Sequence, residues 1–489
     1  MRSSLSKQAK RSLFLVHRWL GVVTCLFCVM WFLSGLVMLY VPYPSWSNEE
    51  RIVHLPPVDV SSIRVLPDAA LARAGIASFP TTFRIETYQD APVYRLVAAG
   101  QRVSLSAVTG EIISDIEPAD AKDHVRATFP NAQPEFVEWV DYDQWTVSQR
   151  FNAHRPLLKF ALNDQENTFV YVSSSTGEIV QNATRNERVW NWLGAVPHWI
   201  YFTPIRKDAG FWRQVVMWSS GPLVVGAIVG LWIGILRVRF RRRYSRDRVT
   251  PYQGWKKWHH VFGLLGGLFL TAWIFSGWLS VNPFGLFART SLSETQQAAY
   301  AGWQKGMVYG VTKETLAGLP DTATEISFGS VDGQSTILLR SAEQTQLLDA
   351  QSGASLIVGD AELAAAAQRT LPGTPISSVH RLDTEDVYWY SHHRKRPLPV
   401  VRVTFADPSA TWLFVNPATA EIAGLSDRSA RAYRWLFYLI HNYDLPVLLR
   451  HQPARDLIVW VLSLFGLIVG VTGTTLGYRA LRRRRRVPG

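Results

Sequence analysis

Four histidines recur at matching positions of this sequence, and neutral histidine is the commonest side-chain ligand of transition metals. His17 and His259 each stand at the start of a long apolar stretch. His198 and His441 each lie nineteen residues after the isoleucine of a Glu-Ile pair, in segments rich in aromatic residues. Two histidines that face each other can provide both axial ligands of a haem iron. The spacing therefore predicts two haem-binding histidine pairs.

The segments around these histidines form an internal repeat. Aligning His17 with His259 also aligns Gly21 with Gly263, Trp31 with Trp273, Ser34 with Ser276 and Gly35 with Gly277. Each copy consists of an apolar helix, an external segment, an aromatic segment with a histidine, and a second apolar helix. Parallel repeats in membranes are commonly related by an axis along the membrane normal, with binding sites at the repeat interface. This arrangement predicts that His17 faces His259 and that His198 faces His441.

Four apolar runs are long enough to cross a bilayer, whose hydrocarbon core of about 30 Å needs about 20 helical residues. The sequence predicts a four-helix bundle with external α+β segments. We divide the chain into residues 1–12 (N-terminus), 13–41 (helix), 42–212 (external), 213–236 (helix), 237–256 (basic loop), 257–282 (helix), 283–456 (external), 457–478 (helix) and 479–489 (basic tail).

Most of the net charge of +13 lies in short segments beside the apolar runs. Because short basic loops stay in the cytoplasm, both termini and the basic loop are predicted to be cytoplasmic and the long segments to be outside. These basic runs lack interleaved aromatic residues, so we expect membrane lipid and no nucleic acid as a partner. Cys25 and Cys28 lie inside the first run, where apolar packing is favoured over a redox pair.

The external segments alternate short strands with turn signals, which is typical of α+β domains. Four turns stand out, at residues 106–112, 173–179, 349–355 and 416–422. The first three carry a glycine, which adopts the positive φ that a tight hairpin needs. The fourth carries Ala420 instead. Two turns in each segment predict four small sheets arranged as two lobes.

Other histidines are alternative ligands. His260 adjoins His259 but aligns with Arg18, so the alignment favours His259. His451 has no counterpart in the first copy. A second basic group, at His392, His393 and Arg394, is interpreted either as a solvated surface or, together with His154, as a site for an anionic or metal-chelate substrate.

Haem propionates need cationic partners. The candidates are Arg18, Lys256 and Lys257 beside the inner pair, and Arg206 and Arg450 beside the outer pair. Anchoring to lipid headgroups is an alternative role for these side chains. The covalent attachment motif C-x-x-C-H does not occur in the sequence, so the haems are expected to be of b type.

At these residues the sequence resembles the PepSY-associated transmembrane helix family. The matching motifs are His17-Arg18-Trp19-Leu20-Gly21, Trp258-His259-His260, the two Ser-Gly pairs, Pro197-His198-Trp199, Leu439-Ile440-His441-Asn442 and the Thr-Gly-Glu turns. The resemblance implies a bacterial inner-membrane protein linked to iron acquisition, with two periplasmic α+β lobes built from PepSY-like units. Some members are similar to ferric-siderophore reductases that carry b-type haem.

The sequence is consistent with three functions. The first is transmembrane electron transfer through two haems to a ferric chelate or siderophore outside the membrane. Because no G-x-G-x-x-G motif follows a predicted strand, the electrons must come from a quinol or a separate reductase. The second is a non-enzymatic regulatory or binding protein with a peptidase or envelope partner, for which four matching histidines are unnecessary. The third is a permease for a metal chelate.

Overall fold

The computed structural model describes residues 7–288, 291–392 and 395–484 of the 489-residue chain. The chain forms two compact units. The helical unit contains residues 7–43, 187–288 and 432–484, and the sheet unit contains the remaining described residues. The aromatic segments with His198 and His441, which fall within the predicted divisions 42–212 and 283–456, belong to the helical unit.

The helices are α1 (Lys7–Met38), α2 (Asn48–His54), α3 (Pro67–Arg73), α4 (Pro118–Thr128), α5 (Arg185–Leu193), α6 (Ala195–Trp199), α7 (Thr203–Arg206), α8 (Ala209–Arg237), α9 (Trp255–Leu265), α10 (Gly267–Leu279), α11 (Glu294–Ala301), α12 (Lys313–Ala317), α13 (Asp360–Gln368), α14 (Arg428–Tyr433), α15 (Pro446–Arg450) and α16 (Gln452–Arg484). A π-helix, Arg434–Asn442, follows α14.

Three helices of the helical unit are long and apolar enough to cross a membrane: α1, α8 and α16. Helices α9 and α10 reach this length only as a pair, and they meet at a bend of 72°. One membrane helix over residues 257–282 was predicted. The bend occurs at Gly266 and Gly267, and paired glycines are a common cause of helix kinks. A Cβ atom on Gly266 would lie 2.7 Å from Cβ of Phe465, so α16 packs directly against the bend.

Helix α1 packs between α8 and α16, while α9 packs on α16 and α10 packs on α8. Glycines of α8 and α16 face α1 at these contacts. A Cβ atom on Gly470 would lie 2.9 Å from Val29, and one on Gly226 would lie 3.4 Å from Leu20. Such close approach is typical of membrane helices, in which small residues allow van der Waals packing of the backbones.

The strands of the sheet unit are β1 (Pro80–Tyr88), β2 (Ala91–Ala98), β3 (Gln101–Ser106), β4 (Ile112–Ile113), β5 (Glu135–Val140), β6 (Leu157–Ala161), β7 (Phe169–Ser173), β8 (Ile179–Ala183), β9 (Glu325–Val331), β10 (Gln334–Arg340), β11 (Thr345–Asp349), β12 (Ile376–Leu382), β13 (Val400–Phe405), β14 (Trp412–Val415) and β15 (Ile422–Ser426). A membrane chain with an α+β part is thus confirmed.

Among the described residues these strands form three sheets, whereas four sheets in two lobes were predicted. The orders are β11-β10-β9-β1-β2-β3-β4, β5-β6-β7-β8 and β12-β13-β14-β15. The difference arises because β1 pairs with β9, through Arg84↔Ser327 and Ile85↔Ile326. The two external segments therefore share one sheet and one core, which contains Ile85 and Ile326.

The fourth turn adopts the same conformation as the other three, although it carries an alanine. Ala420 has a φ of +55°, compared with +79°, +72° and +70° at Gly110, Gly177 and Gly353. A left-handed alanine costs more conformational energy than a glycine, so the surrounding contacts must maintain it. Tyr300 provides one of them, since its hydroxyl donates to the carbonyl of Ala420 over 2.7 Å.

Glutamates from two of these turns join a network of charges at the seven-stranded sheet. Glu178 pairs with Arg84 at 2.8 Å, and Glu421 pairs with Arg340 at 2.6 Å. The network consists of Arg51, Arg84, Arg95, Arg340, Glu86, Glu178, Glu325 and Glu421. The Thr-x-Glu turns of the sequence thus connect the two smaller sheets to the central one.

Candidate functional site

His198 and His441 lie together in the helical unit. Their ring centroids are 6.1 Å apart, with the ring planes inclined at 64°. His198 lies in the short helix α6 and His441 in the π-helix. Two residues after each histidine the chain turns through a left-handed residue, Ile200 with φ +55° and Tyr443 with φ +52°. A buried ion pair at 2.8 Å between Arg434 and Asp444 joins the two ends of the π-helical segment.

The repeated motif Trp-x-x-Ser-Gly holds this pair. The indole of Trp31 donates to the carbonyl of His198 over 2.8 Å, and the indole of Trp273 donates to the carbonyl of His441 over 3.1 Å. Each serine of the motif contacts Nδ1 of the same histidine, at 3.0 Å for Ser34 and 3.1 Å for Ser276. The glycines complete the contact, because a Cβ atom on Gly35 or Gly277 would lie 3.2 or 3.3 Å from the Cε1 atom of the imidazole.

The serine hydrogen bonds determine which ring nitrogen carries the proton. The hydroxyl of Ser34 donates to the carbonyl of Met30 over 2.7 Å, and that of Ser276 donates to the carbonyl of Trp273 over 2.9 Å. Each serine oxygen must then accept from an N–H group, so Nδ1 of His198 and of His441 is protonated. The lone pair is left on Nε2, which is the form of imidazole that binds a metal.

Burial keeps both rings neutral. It lowers the pKa of His198 to about 3 and that of His441 to about 4, because a positive charge would lose its hydration. The nearby His441 lowers the pKa of His198 further, whereas a backbone hydrogen bond to Trp31 partly opposes the effect. At neutral pH both Nε2 lone pairs are therefore available.

His17 and His259 form a second pair with the same centroid separation of 6.1 Å and an inclination of 41°. His17 donates from Nδ1 to the carbonyl of Gly226 over 2.9 Å. Nδ1 of His259 lies 2.9 Å from the hydroxyl oxygen of Thr472. This hydroxyl donates to the carbonyl of Ile468 over 2.7 Å and so accepts from the imidazole. In this pair, too, Nε2 carries the lone pair.

Glycines also lie against this second pair. A Cβ atom on Gly230 would overlap Cε1 of His17 and lie 2.9 Å from its Nδ1. A Cβ atom on Gly473 would lie 3.3 Å from Cε1 of His259 and 2.5 Å from Sγ of Cys25. All four imidazoles therefore rest on a glycine, with Nδ1 held by an oxygen.

The side chain of His260 does not point toward His17 but toward Gly234 and Tyr252. It contacts the carbonyl of Gly234 through Nε2 at 3.1 Å, and its ring lies 5.2 Å from that of Tyr252. Because a carbonyl only accepts, Nε2 of His260 is protonated and has no lone pair for a metal. His451 is exposed and contacts the carbonyl of Val447 through Nδ1. The structure thus places His259, rather than His260, opposite His17, and it places His441, rather than His451, opposite His198.

The model of one protein family matches most of the region that contains these residues. It describes a PepSY-associated TM region and covers residues 14–326, which is more than half of the chain. The chain belongs to this family. The family assignment made from the sequence motifs is therefore confirmed. The match includes His17, His198 and His259, while His441 lies beyond it. No curated protein matches the chain.

The two histidine pairs of this PepSY-associated membrane protein are candidate haem sites. With a metal–imidazole bond of about 2.0–2.1 Å, two rings on opposite sides of one ion have centroids about 6.3 Å apart. The observed separation of 6.1 Å is close to this value at both pairs. In the described part of the chain, no three His, Cys, Asp or Glu side chains converge as a metal site. Two nitrogens suffice for a haem iron, whose macrocycle provides the other ligands.

The cationic candidates differ in burial. Arg206 is 8% exposed, with its guanidinium 4.9 Å from the ring centre of Tyr201 and 4.7 Å from that of Trp212. Its Nε and Nη1 atoms are buried and have no hydrogen-bond acceptor among the described residues. Arg18 and Arg450 are exposed, as are Lys256 and Lys257. Of this group, Arg206 has the strongest need for an anionic partner.

The predicted substrate group is only partly described. His393 and Arg394 lie outside the described residues, and His392 is half-buried. His154, which was grouped with them as a possible substrate site, is 8% exposed. Trp31, Ser34 and Gly35 align with Trp273, Ser276 and Gly277 in the sequence, but their contacts with His198 and His441 emerge only from the structure. The sequence does contain a signal for this role, because the same three residue types recur at the same spacing in both copies of the repeat. Thr472, which has no such repeat, could not have been identified.

Proposed function

We propose that this protein carries electrons across a membrane by means of two b-type haems and delivers them to a ferric chelate. One haem would be held by His17 and His259, the other by His198 and His441. The observation that carries the proposal is that the two histidine pairs have the same ring separation and equivalent contacts at Nδ1. In each pair, both Nδ1 atoms lie within 3.1 Å of an oxygen and the ring centroids are 6.1 Å apart. We infer from the donors around those oxygens that Nδ1 carries the proton and that each Nε2 keeps its lone pair.

When bound, haem supplies one-electron redox chemistry whose potential responds to its ligands and surroundings. The chain's own residues orient the imidazoles and keep them neutral. Ser34, Ser276 and Thr472 do so through Nδ1, as outer-shell partners of metal-bound histidines generally do. We assign Arg206 to an anionic propionate, since a buried guanidinium needs such a partner. Arg18 and Arg450 are further candidates from exposed positions.

We propose that the three long helices and the bent α9–α10 pair form a four-helix bundle of two tandem repeats. The proposal is supported by the matching contacts of the two Trp-x-x-Ser-Gly motifs. The basic residues of the 237–256 connection favour cytoplasmic termini in a bacterial inner membrane and a periplasmic sheet unit.

The partners follow from this orientation. The donor would be a quinol or a separate reductase on the cytoplasmic side, because the sequence has no dinucleotide fingerprint after a strand. The acceptor would be a ferric siderophore or a similar chelate. One electron converts Fe(III) to Fe(II), and the lower charge weakens the bonds to hard oxygen ligands, so that the iron is released.

The test is the haem content of the purified full-length chain. We expect two haems per chain, a low-spin spectrum and a sharp α-band on reduction with dithionite. His259→Ala should remove one haem, whereas His260→Ala, at the adjacent residue, should retain both. Reduced protein mixed with a ferric trihydroxamate and a chromogenic Fe(II) chelator should then release Fe(II). A chain purified without haem that still reduces the chelate at the full rate would refute the proposal.

A further inference from the structure

The two imidazoles of the His198–His441 pair differ in what lies against their ring faces. The phenyl ring of Phe437 stacks on the imidazole of His441, with ring centroids 5.2 Å apart and an angle of 20° between the planes. A nearly parallel, offset arrangement is favourable for two aromatic rings. Aligning His198 with His441 places Gly194 at the position of Phe437, so the first copy has no side chain there.

The backbones of the two copies also differ at this position. In the first copy Gly194 separates α5 from α6, with φ −100° and ψ −105°. A Cβ atom on Gly194 would lie 3.0 Å from Cγ1 of Val37, so α1 packs closely against the glycine. In the second copy the π-helix continues through Phe437. Because π-helical turns are rare and occur frequently at functional sites, the ring of Phe437 is a candidate for a role at the histidine pair.

Other aromatic rings hold Phe437 in place. Tyr433 stacks on it with centroids 5.0 Å apart and an angle of 26°, and the ring of Tyr438 meets it edge-on at 5.2 Å. Phe287 in turn contacts Tyr433 edge-on at 5.1 Å. Tyr433, Phe437 and His441 are four residues apart, which is a spacing at which side chains of one helix meet. The ring that lies on His441 is therefore itself fixed by its neighbours.

The contact on the ring face constrains His441 in a way that its other contacts do not. Nδ1 lies 3.1 Å from the hydroxyl of Ser276, and Gly277 lies against Cε1. Both contacts are at one edge of the imidazole, whereas a ring against its face limits the rotation of its plane. His198 has equivalent contacts at its edge. The stacked phenyl ring is thus what distinguishes His441 from its partner, to which its plane is inclined at 64°.

We propose that Phe437 is a positioning residue, which holds the imidazole plane of His441 and so sets the angle between the two ligand planes of the outer haem, the haem of the His198–His441 pair. The inference rests on the proposed function, because the angle matters only when both rings bind one iron. The plane of an imidazole determines which of two iron d orbitals its π electrons affect. Strongly inclined planes keep these orbitals close in energy, whereas parallel planes separate them. The orientation of the ligand rings therefore contributes to the electronic properties of a haem.

The test is the EPR spectrum of the oxidised full-length chain in detergent, because the largest g value of low-spin ferric haem is higher for inclined ligand planes than for parallel ones. His259→Ala, which should lack the inner haem, identifies the signal of the outer haem. In Phe437→Leu this signal should shift and broaden, since the plane of His441 is no longer held. The outer haem should also pass to excess apomyoglobin about 2–10-fold faster. Phe437→Tyr, which keeps the ring, should retain the original signal. So should the control Tyr438→Leu, because Tyr438 does not stack on His441 in the described structure.

Each result has a separate meaning for the two proposals. Two haems per chain and an unchanged outer signal in Phe437→Leu would overturn the role of Phe437 and leave the proposed function intact. If Phe437→Leu does not fold, Phe437→Met, which fills the space without a ring, is compared with Phe437→Tyr. Equal haem contents and equal g values for these two variants would likewise overturn the role of Phe437. An unaltered chain without haem would refute the proposed function, and this inference with it.

Discussion

Gly230 is the position at which one added methyl group tests the packing of the His17–His259 pair. A Cβ atom there would overlap Cε1 of His17 and lie 2.9 Å from its Nδ1. Non-bonded carbon atoms normally stay about 3.5–4.0 Å apart, so in Gly230→Ala the imidazole must move by about 1 Å. The Nδ1···O distance to Gly226, now 2.9 Å, then approaches the limit at which a hydrogen bond is lost.

The expected loss of haem affinity follows from the loss of that hydrogen bond and the displacement of the imidazole ring. Removing the outer-shell partner of a metal-bound histidine lowers affinity about 10–100-fold, or about 1.4–2.8 kcal/mol. Against this, alanine is favoured over glycine in a helix by about 0.8–1.0 kcal/mol, so the fold itself should remain intact. We expect Gly230→Ala to be purified with about one haem per chain instead of two.

Gly263→Ala is the matched control. It lies one turn after His259 in α9, and within the described structure a Cβ atom there meets nothing within 4 Å. It should keep both haems and gain a little stability. The assay is haem per chain from the pyridine haemochrome spectrum, with haem loss to excess apomyoglobin as a second measurement. If Gly230→Ala retains two haems and loses them no faster than Gly263→Ala, the inferred contact between Gly230 and a haem-binding His17 is wrong.

Three other predictions concern contacts described above. Ser34→Ala should speed haem loss from the His198–His441 pair about tenfold, whereas Ser280→Ala, whose hydroxyl donates to the carbonyl of Gly277 in its own helix, should not. Equal rates would contradict the role of Ser34. Burial raises the pKa of Glu325, but Arg51 and other arginines outweigh this and hold it at about 2, below the value of about 4.3 in an unfolded chain. The sheet unit should therefore lose about 3 kcal/mol of stability as the pH falls from about 5 to 2, and Glu325→Gln should flatten this dependence in unfolding titrations. Gly177→Ala should destabilise the sheet unit by about 2–4 kcal/mol, because φ is +72° and the new atom would lie 2.5 Å from the ring of Tyr88. Gly75→Ala, at φ +68° in open space, should cost only about 1 kcal/mol, and similar denaturation midpoints for the two variants would argue against the overlap.

The histidine pairs could be anticipated because a short motif must occur twice to build two equivalent contacts. The recurrence of Trp31, Ser34 and Gly35 as Trp273, Ser276 and Gly277 is visible in the sequence. The structure brings the histidines together as this repeat predicts, while haem binding stays a prediction. Hydrophobicity alone located the membrane helices, since a bilayer demands about 20 apolar residues.

Other features depend on contacts between distant residues. The alternation of residues 80–88 predicts a strand but says nothing about which strand will lie beside it. The pairing of Ile85 with Ile326 therefore could not be predicted. At the bend, Gly266 lies against Phe465 of α16, and the left-handed Ala420 accepts a hydrogen bond from Tyr300. Local sequence rules allow these conformations without requiring them.

The shared sheet has a consequence for biosynthesis. When the ribosome has completed β1, its partner β9 is still about 240 residues away, with α8, α9 and α10 yet to be made. Until then the hairpin of β1 and β2 exposes an edge that can associate with any neighbouring strand. The nascent first half would need protection, by a chaperone or by its own helices, and a chain truncated before Glu325 should aggregate in detergent instead of yielding a folded half.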